Sequence, residues 1–254
     1  MIRVGLFALT LFLAAVSPAE AQPAQPTVTV YAAADLQMAF GELKPLFEKA
    51  TGARVTLVMG STGNLAKQIE HGAPADVFFA ANESFIDDLK AVGAIIPQTR
   101  ALYAQGRIVL AFPKRSPIAL RELPDLLKPE VRRIAIANPA HAPYGRAAQE
   151  ALERLGLWDR VRSKLVYGEN IRHTLQFIQT GAVEGGIVAL SVADVPEVTH
   201  VPIDPKLYTP LNQVAAVVRR SPHPELGAAF IQFVGGPEGR PIMKRYGFLL
   251  PGEF

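Results

Sequence analysis

Met59–Gly60–Ser61–Thr62–Gly63–Asn64–Leu65–Ala66–Lys67–Gln68–Ile69 is the stretch from which the rest of the chain can be read. Val55, Leu57 and Met59 alternate as a strand that runs out at Gly60. Two hydroxyls and Gly63 follow, and Leu65 with Ile69 then predicts a short helix that stops at Gly72. Such a junction puts free backbone N–H groups, hydroxyl donors and the positive end of a helix dipole at one point. That combination holds an anion without a lysine or arginine. Taken alone, the same loop serves equally well as a helix cap, so its meaning depends on what else converges on it.

Three other segments repeat the pattern of a strand end, small or polar residues and a helix start. They are Ala32–Ala33–Ala34–Asp35, Ala142–Pro143–Tyr144–Gly145 and Glu169–Asn170–Ile171. Between them, extended and helical patterns alternate along almost the whole chain, which predicts an α/β protein with mainly parallel sheets. Val28 to Tyr31, Val77 to Phe79, Ile134 to Ala137, Leu165 to Tyr167, Gly186 to Leu190 and Val214 to Val218 read as strands. A helical stripe of Leu36, Phe40, Leu43 and Phe47 ends at Gly52, with Pro45 expected to kink or split it. Apolar strands near residues 109 and 213 are expected to cross between two units. That gives one lobe from residues 22–108 and 213–254, a second from 109–212, and a cleft between them.

The first 21 residues read as a signal peptide: a positive Met1–Ile2–Arg3 end, an apolar Val4 to Val16 core and an Ala19–Glu20–Ala21 cleavage site. No later apolar run reaches the roughly 18–20 residues that span a bilayer. The chain has no cysteine, so an exported fold is expected to stand without disulfides, and a lipoprotein anchor has no residue to carry it. Basic residues (26) exceed acidic ones (23) by three, and they form no cluster, which argues against a nucleic-acid or membrane-surface binder. A free periplasmic monomer is the expectation.

The motifs Tyr31–Ala32–Ala33–Ala34–Asp35–Leu36, Gly60 to Leu65 and His71–Gly72–Ala73–Pro74–Ala75–Asp76–Val77–Phe78 resemble the periplasmic molybdate-binding proteins of ABC transporters. Ala137 to Gly145, Gly186–Ile187–Val188 and Lys244–Arg245–Tyr246–Gly247–Phe248 extend that resemblance over essentially the whole mature chain. It implies the type II periplasmic-binding fold, two α/β lobes on a two-stranded hinge, with an oxyanion held between them by neutral donors. Carried over by position, the oxyanion ligands are Asp35, Ser61, Thr62, Tyr144 and Ile171. Ala34, Gly145, Arg146, Asn170 and Ala189 stand beside them. The ligand implied is molybdate, with tungstate beside it, and the partners are a transporter permease and its ATPase; no cofactor is implied. Sulfate, phosphate or an organic sulfonate is the alternative on the same fold. Ferric iron is disfavoured because no two tyrosines are adjacent.

Two positions depart from the family pattern: Asp35 stands where a serine is usual and Ala189 where a tyrosine is usual. An ionised carboxylate about 4 Å from a dianion would repel it by roughly 8 kcal/mol, about 4 for each charge pair at an effective dielectric of 20. One charged hydrogen bond returns only about 1.5–3 kcal/mol. Asp35 is therefore expected to cap its own helix, to be neutralised by Arg146, Lys67 or Arg172, or to coordinate molybdenum or tungsten directly together with Glu169. The hydroxyl missing at Ala189 has candidate replacements in Tyr103 and Tyr144, and Asp76 is expected to fix a loop.

Enzyme readings find little support. The chain lacks a G-x-S-x-G elbow, a G-x-G-x-x-G loop, a Walker lysine and an H-E-x-x-H pair, and its five histidines show no ligand spacing. Of those histidines only His141 falls near the expected cleft, in a structural role.

Overall fold

The computed structural model describes residues 25–254, so the expected signal peptide lies outside the described residues. The elements in chain order are β1 (Thr27–Ala33), α1 (Gln37–Thr51), β2 (Arg54–Gly60), α2 (Thr62–Glu70), β3 (Val77–Ala80) and α3 (Ser84–Ala91). Then come β4 (Ala101–Gly106), β5 (Ile108–Pro113), β6 (Ile134–Ala137), α4 (Pro143–Arg154), α5 (Trp158–Val161), β7 (Leu165–Gly168) and α6 (Ile171–Gln179). The chain closes with β8 (Gly185–Ala189), α7 (Leu190–Ala193), β9 (Val198–Pro202), β10 (Leu211–Val217), α8 (Pro224–Val234) and α9 (Gly239–Arg245).

Two five-stranded sheets carry these elements, in the orders β2-β1-β3-β10-β4 and β7-β6-β8-β5-β9. Each sheet is mixed. Three strands run parallel, and two more add antiparallel ladders, β3 to β10 to β4 in one sheet and β8 to β5 to β9 in the other. In each sheet four of the five strands share one direction, as expected of mainly parallel sheets, and a single strand, β10 or β5, runs against them. The strands the sequence reading omitted are β4 and β9, which lack a strong apolar signature (Leu102 is exposed, and Thr199, His200 and Val201 are half-buried). The chain passes from the first sheet to the second at Gly106–Arg107–Ile108 and returns between Pro202 and Leu211.

The first sheet is covered on both faces, and the alternation along its strands shows why. Val28, Val30 and Ala32 join Val77, Phe79, Ala215 and Val217 under α1, α8 and α9. Tyr31, Phe78, Ala80, Val214 and Ala216 point the other way, under α2 and α3. The predicted stripe Leu36, Phe40, Leu43 and Phe47 lies wholly in the first of these cores. Helix α1 runs unbroken through Pro45 and ends at Gly52 with φ 70°. It survives because the carbonyl that Pro45 leaves unbonded, that of Gly41, sits on the exposed face, where water can satisfy it. Asp76 fixes a loop, as expected: its carboxylate accepts from the Thr29 N–H and the Ser221 hydroxyl.

Phe230 is the hub of this core. Its ring meets those of Phe40, Phe47 and Phe79 edge to face, at centroid distances of 5.4, 5.0 and 5.6 Å. Truncating it leaves a cavity that fixed strands on one side and α1 on the other cannot fill. Phe230→Ala is predicted to cost about 3–5 kcal/mol, whereas Phe254→Ala, at a half-exposed terminus, should stay within about 0.5 kcal/mol. Urea unfolding of the ligand-free protein measures both, and equal midpoint shifts would contradict this account of the core.

Candidate functional site

Strand register brings the four loops together in pairs. In the first sheet Ala33 lies opposite Gly60, so Ala34–Asp35 and Ser61–Thr62 leave the sheet side by side. In the second, Ala137 lies opposite Gly168, and the segments leading to α4 and α6 emerge side by side as well. Both pairs are at carboxyl ends of parallel strands, where α/β sheets bind their ligands. The lobes meet there. The Gly63 N–H donates to the His141 carbonyl at 2.9 Å, and Ser61 Oγ lies 2.8 Å from His141 Nδ1. Tyr144 of the second lobe donates its hydroxyl to Asp35 Oδ2 of the first at 2.9 Å. Ser191 Oγ donates to the Asp35 carbonyl at 3.0 Å.

The helix starts leave particular donors free. At α6 the Asn170 side chain accepts from Arg172 N and His173 N, and Thr174 N bonds the Asn170 carbonyl, leaving the N–H of Ile171. At α4 Pro143 has no N–H and those of Gly145 and Arg146 both reach the Ala142 carbonyl, leaving the N–H of Tyr144. Ile171 and Tyr144 are both buried, and a buried N–H is costly unless something accepts from it. At α2, Thr62 Oγ1 accepts from the Ala81 N–H at 3.2 Å, which leaves its own hydroxyl proton available to donate. The Ser61 hydroxyl is equally available when His141 carries its proton on Nδ1 and donates to it.

Asp35 neither caps a helix nor meets a cation. Instead Oδ2 accepts from the Tyr144 hydroxyl and from Gln213 Nε2 at 2.7 Å, and Tyr103 donates to Gln213 Oε1 at 2.8 Å behind them. None of the three suggested cations neutralises it. Arg146 is exposed, donates to the Pro139 carbonyl and lies over the Phe85 ring at 5.3 Å, bridging the rim of the lobes. Glu169, the other carboxylate considered, is exposed, and among the described residues no three His, Asp or Glu side chains cluster around a possible ion. Burial dominates, and it raises the Asp35 carboxyl from 3.8 to about 6 against the opposing pull of Gln213, Tyr144 and its own N–H. Burial also lowers His141, which favours its neutral form.

Sequence reasoning missed Gln213, Ser191 and Gly106. Gln213 sits fully buried at a register shift of β10 against β4, and such a bulge re-aims a side chain. A lone amide at the head of the apolar run Val214 to Val218 was the available signal. Gly106 is required by close approach: a Cβ there would stand 2.1 Å from the Tyr144 hydroxyl. Ala34 and Ala189 are buried against the second-lobe core and supply small surfaces only.

Comparison with known proteins bears on the family and the fold. Residues 28–249 match the family model described as bacterial extracellular solute-binding protein. The chain belongs to that family. It is 35% identical over 235 residues to the molybdate-binding protein ModA of Azotobacter vinelandii, covering 90% of this chain and 91% of that one. It is 32% identical to Escherichia coli ModA, covering 88% and 89%. The solved periplasmic molybdate-binding protein of A. vinelandii superposes with a TM-score of 0.82 at 30% identity, covering 88% of this chain and 99% of that one. The sulfate-binding protein SubI of Mycobacterium tuberculosis shares the fold, with a TM-score of 0.79 at 17% identity. Among the described residues of this family member, no helix is long and apolar enough to cross a membrane.

The buried carboxyl carries a consequence for stability. Its folded value, about 6, lies above its unfolded value of 3.8, so between these the folded state holds more protons and stability falls as pH rises. Asp35→Asn removes that loss. The variant should be more stable than the native protein by about 2–3 kcal/mol at pH 7, with the advantage vanishing towards pH 4. Denaturant unfolding of the ligand-free proteins across this range is the check, and a variant less stable at pH 7 would contradict the assignment.

Proposed function

We propose that this chain is a periplasmic receptor that captures molybdate, and tungstate as well, between its lobes and delivers it to an ABC importer made of a permease and its ATPase. The lobes are residues 22–108 with 213–254, and 109–212, and the receptor works as a monomer with no catalytic step and no resident cofactor. The observation that carries the reading is the set of free neutral donors facing the lobe interface: the N–H groups of Tyr144 and Ile171 and the hydroxyl of Thr62. A tetrahedral dianion presents four oxygens, and several dipoles stabilise it without fixing it irreversibly. The named function of the ModA relatives at 32–35% identity supports molybdate over other oxyanions.

Capture follows from having donors on both lobes. Neither lobe alone completes the set, so an anion that touches both favours the closed arrangement by its difference in affinity for the two states. Ser61, with His141 against it, lies at the same junction and completes the proposed donor set, while Gly145, Asn170, Ala34 and Ala189 shape the loops around it. Arg146 acts at the rim and lends the anion no direct bond.

Melting the mature protein with millimolar molybdate, tungstate, sulfate or phosphate tests the assignment. At a thousandfold excess over the dissociation constant, stabilisation should reach about 4 kcal/mol. That corresponds to roughly 8–16 °C for a chain of this size. No shift with molybdate or tungstate beside a clear shift with sulfate would sink it.

A second test concerns closure. A Cβ at Gly63 would lie 2.7 Å from the His141 carbonyl oxygen, a backbone atom that cannot step aside. Gly63→Ala should therefore weaken molybdate binding tenfold or more, about 1.4 kcal/mol, while the melting temperature of the ligand-free protein changes little. Unaltered affinity in a titration would show that this junction does not take part in closure.

A further inference from the structure

We infer that Asp35 takes part in oxyanion capture as the neutral carboxylic acid, donating a hydrogen bond from Oδ1, so that each anion bound draws one proton from solvent. The inference rests on the proposed oxyanion site and adds a proton to its chemistry. Two geometric observations carry it. The Asp35 side chain is 1% exposed, and Oδ1 is buried with no hydrogen-bond partner among the described residues. Its other oxygen, Oδ2, already accepts twice, from Tyr144 and from Gln213. A carboxylate in this position would have a bare, buried negative oxygen, since Tyr144 and Gln213 both donate to its other oxygen.

Surrounding groups offer no compensating charge. From β4 comes Tyr103, from α4 Tyr144, from β10 the neutral Gln213, and from α7 the Ser191 hydroxyl, which is spent on the Asp35 carbonyl. The buried face of α6 is Ile171, Thr174 and Leu175, its Arg172 being half-buried and His173 exposed against Phe177. On α1 the nearest acid, Glu42, is engaged by Arg245 and Tyr246. Both phenols are held well above their ordinary value by burial, so neither supplies a proton or a charge. With no cation at hand, a dianion arriving at these donors adds repulsion to burial, and both favour the acid form. The raised Asp35 carboxyl in the ligand-free protein points the same way.

The step balances simply. A solvent proton bonds to Oδ1, the O–H donates to an oxygen of the anion, and the proton returns to solvent on release.

Isothermal titration of the intact mature protein with molybdate at pH 6.5–8.5, where the ligand is the dianion, tests this directly. Each titration is run in two buffers of different ionisation enthalpy. Uptake should approach one proton per anion above pH 7, with the dissociation constant rising about tenfold per pH unit, because only the protonated fraction is competent. D35N should lose both the uptake and the pH dependence and bind about a hundredfold more tightly than the native protein at pH 8. D35S provides a second variant should the amide disturb the Tyr144–Gln213 pair.

Molybdate binding without proton uptake overturns the inference while leaving the functional reading intact. Uptake that persists in both variants also overturns it and transfers the proton to His141. No binding of any tetrahedral oxyanion removes the functional reading, and this inference with it.

Discussion

Level register is the constraint on which the rest of the structure depends. Because Ala33 pairs with Gly60 and Ala137 with Gly168, each sheet releases two chains at the same height, and each enters a helical turn within a few residues. A slip of one residue would turn every side chain to the opposite face and pull the paired helix starts out of line. Valines and alanines that alternate between two differently covered faces make such a slip expensive. Core packing thus positions the donors, and the Phe230 cluster stabilises the site from a distance.

Charge explains the remainder. Donors that are backbone N–H groups and hydroxyls cannot titrate and need no long side chain to be ordered, so they keep the lobes' meeting surface small and neutral. Into this surface the chain places one carboxyl. Gly106 clears space for the Tyr144 ring, a register shift turns Gln213 inward, and Tyr103 holds the amide of Gln213 by its oxygen. Gln213 then directs its amide N–H groups at Asp35 Oδ2 and at the Tyr144 hydroxyl oxygen. Three residues from three elements are arranged so that one oxygen of Asp35 is satisfied and the other is not. An accidental buried acid would not be so surrounded.

Much of this was legible in the sequence, and the pattern of what was not is physical. Helix stripes and central strands are written in apolar periodicity, since burial demands it: Phe40 and Phe47, or Ile134 to Ala137, could hardly be read otherwise. Strands β4 and β9 went unread because polar and exposed residues (Leu102, Gln105, Thr199, His200) break up their apolar pattern. Thr62, Tyr144 and Ile171 were proposed from loop pattern and family resemblance, because a helix start advertises itself by its cap residue, as Asn170 does. Pro45 misled because its effect depends on whether the carbonyl four residues before it faces water, which requires knowing the helix's orientation first.

Asp35 shows the limit most clearly. Sequence reasoning correctly derived that an ionised carboxylate is incompatible with a dianion, and then sought a cation or a cap to remove the conflict. All the remedies considered were local or electrostatic. The remedy in the fold is burial, which outweighs the hydrogen bonds that Tyr144 and Gln213, 109 and 178 positions away, make to the carboxyl. A carboxyl that is costly to ionise in the empty protein is costlier still beside the anion. On the proposed reading, the same burial that makes Asp35 a liability as a charge makes it useful as an acid.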